Sequence, residues 1–368
     1  MKNPTNHIIE LDSWRGIMAI LVAIFHYTVP NNFISAELAV DFFFILSGIV
    51  VHMAYFDKGL SVKDFFIKRL VRLYPLHLFS LFIICILFIY TILFINYPLS
   101  NNLILAFDWQ FPSEYYKDGI LFTFLQQIFF IQSLGFHPSN EFWNGASWSV
   151  SAELWVNLIF FIWMRRLSNY FLLIVSFILY TLLFVNFGRV SVHNEYILYI
   201  NSSIIRCLAG FCIGCVLFRL LNPLRLKITD KRHLFYSYLQ SVSVFILFYV
   251  MVKGEYNYNE FMAVIAIIVI VSVSFLQLDT IINRILKIGL LKFLGKISYS
   301  IYLTHYIVQY ILQTILNLQF NKTSKIEGGG NLLIFILMTI FISYISYNLV
   351  EKNNAIIMKR LTSIFKIK

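Results

Sequence analysis

Ten mostly apolar runs, each near the ~20 residues a helix needs to cross a bilayer and each bounded by charges or turn residues, govern what this 368-residue chain can fold into. They cover residues 15 to 30, 36 to 56, 74 to 95, 145 to 164, 170 to 187, 199 to 218, 234 to 252, 260 to 278, 297 to 318 and 331 to 350. Hydrophobic residues make up 59% and charged residues 13%, against roughly a quarter charged in soluble domains, which excludes a water-soluble globule and, with it, disorder and coiled coil. The predicted fold is all-α, a polytopic membrane protein of about ten transmembrane helices forming a single domain over 1–368.

The placement of charge sets the predicted orientation. With the N-terminus in the cytoplasm, the connections 57 to 73, 165 to 169, 219 to 233 and 279 to 296 and the tail 351 to 368 carry 21 of the 29 Lys and Arg. Lys2 and Arg15 join that side, whereas the outer loops hold only Lys117, Arg189, Lys253, Lys322 and Lys325. Such an asymmetry obeys the positive-inside rule and puts both termini in the cytoplasm. The formal charge of +11 therefore reports topology, and no nucleic-acid partner is expected. The first run lacks a small-residue cleavage pattern and reads as a retained helix. The long outer excursion 96–144 contains an amphipathic piece at 119 to 134, read as an interfacial or re-entrant helix. Cys85, Cys207, Cys212 and Cys215 lie in apolar runs and read as small hydrophobes, and no metal is expected.

Ionisable residues at membrane depth cost roughly 2.5–3.5 kcal/mol at a helix centre and so need partners or a function. On the first run Asp12, Arg15 and His26 share one helical face, with Arg15 and His26 about 16.5 Å apart along the axis. Ser149 and Glu153, at i and i+4, share a face of the fourth run, and Asp41 enters the second. Ser298, Tyr302 and His305 form a stripe on the ninth. His26 and Glu153 are expected to meet in the outer half of the bundle, and Arg69 and Arg72 to mark the basic inner rim. The plain alternative for Asp41, Arg206 and His305 is satisfaction of neighbouring polar groups. Basic inner loops equally accompany orientation alone.

Five segments in order resemble the membrane-bound acyltransferase 3 family. Leu11 Asp12 Ser13 Trp14 Arg15 Gly16 with Phe25 His26 resembles its first-span signature, and Val40 Asp41 Phe42 Phe43 Phe44 Ile45 Leu46 Ser47 Gly48 its second-span motif. Arg69 through Pro75 is similar to its basic cytoplasmic motif, Trp148 Ser149 Val150 Ser151 Ala152 Glu153 to its Trp-Ser-Leu-Ser-x-Glu motif, and Ile297 through His305 to a late-span motif. Val150 departs from the common Leu, and Ala152 and Leu154 flank Glu153 where polar residues are frequent. The resemblance implies a ten-span core in the bacterial inner (cytoplasmic) membrane. Such a core takes an acyl group, most commonly acetyl, from cytoplasmic acyl-CoA. It places that group on a hydroxyl of an extracytoplasmic or lipid-linked glycan, in the stand-alone form without an esterase-like domain.

The tasks then divide. Arg69 and Arg72, helped by Arg15, are expected to bind the CoA phosphates. His26 is expected to act as general base, with Glu153 fixing its tautomer, or as an acyl-accepting nucleophile. Ser149, Tyr302 or a backbone N–H is a candidate oxyanion donor, and Asp12, Asp41 and His305 are supporting residues. The rival class is a proton-coupled transporter, because intramembrane His, Glu and Asp also build proton relays. Neither related halves nor paired broken helices are visible in the sequence to favour it.

Overall fold

A chain surrounded by hydrocarbon must satisfy its backbone polar groups internally, so apolar runs of this length become helices. The computed structural model describes residues 7–28, 35–55, 59–94, 116–136, 143–225, 233–253, 257–312 and 329–365. In chain order the helices are α1 (Ile9–Thr28), α2 (Leu38–Tyr55), α3 (Val62–Phe94), α4 (Tyr116–Phe129), α5 (Ser147–Ile159), α6 (Asn169–Phe187) and α7 (Ser202–Arg225). They continue as α8 (His233–Lys253), α9 (Asn259–Phe275), α10 (Ile281–Leu286), α11 (Gly289–Lys296), α12 (Ser298–Tyr310), α13 (Gly329–Leu349) and α14 (Asn354–Phe365). A short hairpin of β1 (Tyr196–Ile197) and β2 (Ile200–Asn201) is the one strand pairing among the described residues.

The protein is thus an all-α polytopic membrane protein. Among the described residues, seven helical segments are long and apolar enough to cross a bilayer: α2, α3, α5 with its π-helical extension Phe160–Met164, α6, α7, α8, and α13 continuing into α14. A helix also stands within each of the other three predicted runs, as α1, α9 and α12. Pro30, residues 96–115 of the excursion, residues 313–318, and Lys322 and Lys325 lie outside the described residues.

Two boundaries differ from expectation. α3 begins at Val62, so Arg69 and Arg72 lie on a 33-residue helix instead of in a loop. Pro75 sits inside that helix without ending it. A proline lacks the N–H that would reach the carbonyl four residues back, here that of Val71; the neighbouring carbonyls of Arg72 and Leu73 accept additional bonds from Asn354 Nδ2 (3.4 Å) and Tyr299 Oη (2.7 Å). The tail is ordered too, as a 3₁₀ turn Glu351–Asn353 leading into α14.

The segment 119 to 134 folds back beside α5. α4 leads to a turn at Phe130, which is buried and holds φ at +59°. Its carbonyl accepts from Ser151 Oγ and Trp155 Nε1, both at 2.8 Å, and Tyr74 Oη donates to the carbonyl of Ile128. Trp155 lies about 12 Å along α5 from Ser147. The chain then climbs back, Ser133 Oγ donating to the Trp148 carbonyl (2.5 Å) and Trp143 Nε1 to Thr123 Oγ1 (3.2 Å). Its backbone groups are tolerated at depth because protein, not lipid, surrounds them.

Small residues let the inner helices touch. Gly48 of α2 and Gly214 of α7 face each other so closely that a methyl on Gly214 would overlap the Ile45 carbonyl, and one on Gly48 the Phe211 carbonyl. This close approach is the usual device for helix association in lipid, where no hydrophobic force drives it. It places α2, α5, α7 and α12 in the interior, while α6 and α13 turn most of their surface outward. Gly214→Ala should lower the thermal midpoint of detergent-purified protein by the equivalent of about 1–3 kcal/mol of overpacking. Gly289→Ala, where a Cβ meets open space, should leave the midpoint unchanged.

Candidate active site

Three arginines from two helices face one cavity. On α1, Asp12 and Arg15 pair across one turn, Nη1 to Oδ1 at 3.3 Å, as their shared face requires. On α3, Arg69 and Arg72 stand three residues apart but differ in depth, the Arg69 side chain being 7% exposed and that of Arg72 39%. A cavity of about 190 Å³ is lined by Arg15, Arg69, Arg72, Ser149, Glu153 and Tyr302, with apolar walls from α2.

Arg69 is held by Glu153. Its Nη2 donates to Glu153 Oε1, and Ser47 Oγ of α2 donates to the same oxygen at 2.7 Å. Arg69 Nε and Asn157 Nδ2 are buried donors without a partner among the described residues. Arg72 Nη1 donates to Glu351 Oε1 at 2.9 Å.

Beyond the cavity wall lies a pair of imidazoles. Ser149 Oγ and Tyr302 Oη are 2.6 Å apart, and one turn along α12 His305 Nε2 is 3.2 Å from His26 Nδ1. Carbonyl oxygens can only accept, and this fixes both tautomers. His26 Nδ1 lies 2.9 Å from the Val22 carbonyl and therefore carries the hydrogen, leaving Nε2 as the basic nitrogen. His305 Nδ1 donates to the Ile301 carbonyl at 3.3 Å, so its Nε2 is the acceptor facing His26. Tyr306 packs on both rings at centroid distances of 4.8 Å. Its hydroxyl occupies the space a Cβ on residue 145 would need, so Gly145 is the residue that lets α5 begin here.

The expected direct pairing of His26 with Glu153 is corrected: His26 meets His305, and Glu153 meets Arg69 and Ser47. The reason is axial register. Ser149 is level with Tyr302 and His26 with His305. Glu153 and His26 are then separated by seven residues of helix, about 10 Å. Depth counted from each helix end placed them too close together.

Asp41 stands outside this line. It forms a fully buried two-pronged pair with Arg206, Nη2 to Oδ2 at 2.6 Å and Nε to both carboxylate oxygens at 3.2 and 3.3 Å, and accepts from Tyr180 Oη at 3.1 Å. Both charges are consumed in joining α2, α6 and α7, as the plain alternative for these two residues expected. Ser47 and Glu351 went unnoticed in the sequence. Ser47 resembles any small packing residue, and Glu351 any charge flanking a span.

The fold and site together define a helical membrane protein with an arginine-lined cavity close to a histidine pair. The family profile described as an acyltransferase domain matches residues 8–348, and the chain belongs to this acyltransferase 3 family. It is therefore a membrane acyltransferase, which decides between the two classes the sequence left open. It is similar to "Protein 2 in picA locus" of Rhizobium radiobacter, 31% identical over 180 residues that cover 45% of this chain and 86% of that protein. No solved structure matches it.

Arg206→Met should leave Asp41 buried and unpaired. Thermal unfolding in detergent should then report a loss of roughly 3–5 kcal/mol, much of it restored in Asp41→Leu/Arg206→Met, where neither charge is buried.

Proposed function

We propose that this enzyme moves an acyl group, acetyl in the first instance, from cytoplasmic acyl-CoA to a hydroxyl of an extracytoplasmic glycan such as a surface or secreted polysaccharide. The setting is a bacterial inner membrane spanned ten times, with both termini inside. The observation that carries this reading is the single line of side chains from Arg15, Arg69 and Arg72 through Ser149 and Tyr302 to the His305–His26 pair. Phosphates cannot enter hydrocarbon, whereas an acyl-pantetheine arm can. The cavity is smaller than the roughly 300–1,000 Å³ of sites that enclose whole drug-sized ligands. It suits the arm, while the phosphates remain with the more exposed Arg15 and Arg72 at its mouth.

Arg69 takes a different task from the one its motif suggests. Its pairing with Glu153 neutralises a half-buried carboxylate and leaves Nε as a donor for the arm or the thioester carbonyl. Tyr302, on the cavity wall, is the donor positioned for the developing oxyanion once its hydroxyl leaves Ser149.

The acceptor hydroxyl gives its proton to His26 Nε2 and its oxygen attacks the thioester carbon. The C–S bond breaks, and the proton on the imidazolium passes to the CoA sulfur, giving ester and free CoA. During this step the charge on His26 is shared through Nδ1–H with the Val22 carbonyl and with His305 Nε2. His305 thus acts in the orienting role that the sequence assigned to Glu153.

Purified protein supplied with acetyl-CoA should release free CoA in the presence of acceptor. His26→Ala should abolish turnover while leaving the thermal midpoint unchanged. His305→Ala should lower kcat about 10- to 100-fold, the worth of one hydrogen bond to a charged group, without changing the KM for acetyl-CoA. Unchanged turnover in folded His26→Ala would exclude it as base and as nucleophile.

A further inference from the structure

The end of the chain reaches the donor mouth. Val350 follows α13, and the 3₁₀ turn Glu351–Asn353 folds under the Arg72 turn of α3. Two contacts fasten this segment to α3 and a third ties it to α12. Glu351 Oε1 accepts from Arg72 Nη1 at 2.9 Å, Glu351 Oε2 accepts from Ser300 Oγ of α12 at 3.0 Å, and Asn354 Nδ2 donates to the Arg72 carbonyl at 3.4 Å.

The two partners are buried unequally. The Glu351 side chain is 4% exposed and the Arg72 side chain 39%, and only Arg72 lines the cavity. Glu351 therefore lies behind the arginine and takes one of its five N–H donors. The guanidinium also sits 5.7 Å over the Tyr299 ring, and Tyr299 Oη is tied to the Leu73 carbonyl at 2.7 Å. A long cationic side chain at a mouth is ordinarily free to point anywhere, and ordering it costs rotamer entropy. Here one edge and one face are fixed by α12 and the tail, and the remaining N–H groups, which meet no hydrogen-bond acceptor among the described residues, can recognise an anion.

We infer that Glu351 is a positioning residue for the donor. By clamping Arg72 from behind, it pre-orients the guanidinium for the phosphates of the acyl-CoA, so the segment after the last long helix belongs to the donor site. This inference rests on the proposed donor reading and adds to it a residue that touches neither substrate. A carboxylate beside a cationic site would by charge alone weaken anion binding. The inference therefore predicts the opposite sign from simple electrostatics: removing the negative charge of Glu351 weakens binding of the anion, because orientation outweighs neutralisation.

The test measures binding of CoA, and of dephospho-CoA lacking the 3′-phosphate, to the full detergent-purified chain by calorimetry. Each variant's thermal midpoint is recorded without ligand. Arg72→Gln should weaken CoA binding about tenfold, the worth of one hydrogen bond to a charged group. Glu351→Gln should do nearly the same, and Arg72→Gln/Glu351→Gln no more than Arg72→Gln alone. Glu351→Asp should recover part of the loss, and the acceptor KM should stay constant throughout.

Ser300→Ala keeps the charge and frees one carboxylate oxygen. It stands in should Glu351→Gln fail to fold, with an expected loss of roughly two- to threefold, the lower end for one neutral hydrogen bond. Tighter or unchanged CoA binding in folded Glu351→Gln, or additive losses in the double variant, would overturn the positioning role while leaving the donor site intact. Absence of CoA binding by the unmodified protein would end both readings.

Discussion

A charge held in hydrocarbon has to be neutralised by something brought to it, and the Arg69–Glu153 pair meets that demand between α3 and α5. Removing one partner of such a pair costs far more than the pair contributes, because the other charge is left stranded. The consequence is positional. Glu153 fixes how far α5 slides along α3, Ser47 adds α2 to the same carboxylate, and Ser149 one turn away then falls opposite Tyr302. The register of the line toward His26 follows from this one contact.

Around it the helices divide their work. Asp41 and Arg206 join α2 to α7 where Gly48 and Gly214 already allow close approach. The carbonyls of Leu73 and Arg72, beside Pro75, accept additional bonds from α12 and from the tail. Helix α4 fills the flank of α5 and is followed by a turn at Phe130, a conformation uncommon outside glycine and held by two hydrogen bonds to one carbonyl. Each arrangement satisfies polar groups that lipid cannot, and together they make the interior rigid enough to hold two imidazoles in defined tautomers.

Much of this was legible in the sequence wherever the relation lay within one helix. The 3.6-residue period placed Asp12 with Arg15, Ser149 with Glu153, and Tyr302 with His305, and those relations hold. Contacts between helices were not legible. His26 was expected to meet Glu153 because depth was counted from the helix ends, yet it meets His305 because α12, which starts from the basic end, carries a histidine to its level. Glu351 reads as a flanking charge in the sequence and becomes a partner of Arg72 only because α13 delivers it beside α3. Continuation of α3 back to Val62 was hidden by a basic composition that suits a loop and a helix equally.

The proposed transfer depends on one path from the basic mouth to the histidine pair, and a structure of the protein with a non-hydrolysable acetyl-CoA analogue tests it most directly. The account predicts phosphate density against Arg15 and Arg72, the pantetheine arm passing Arg69 and Tyr302, and the acyl carbon within reach of a hydroxyl bound at His26 Nε2. Density for the analogue elsewhere on the protein, with the cavity beside Glu153 empty, would contradict it.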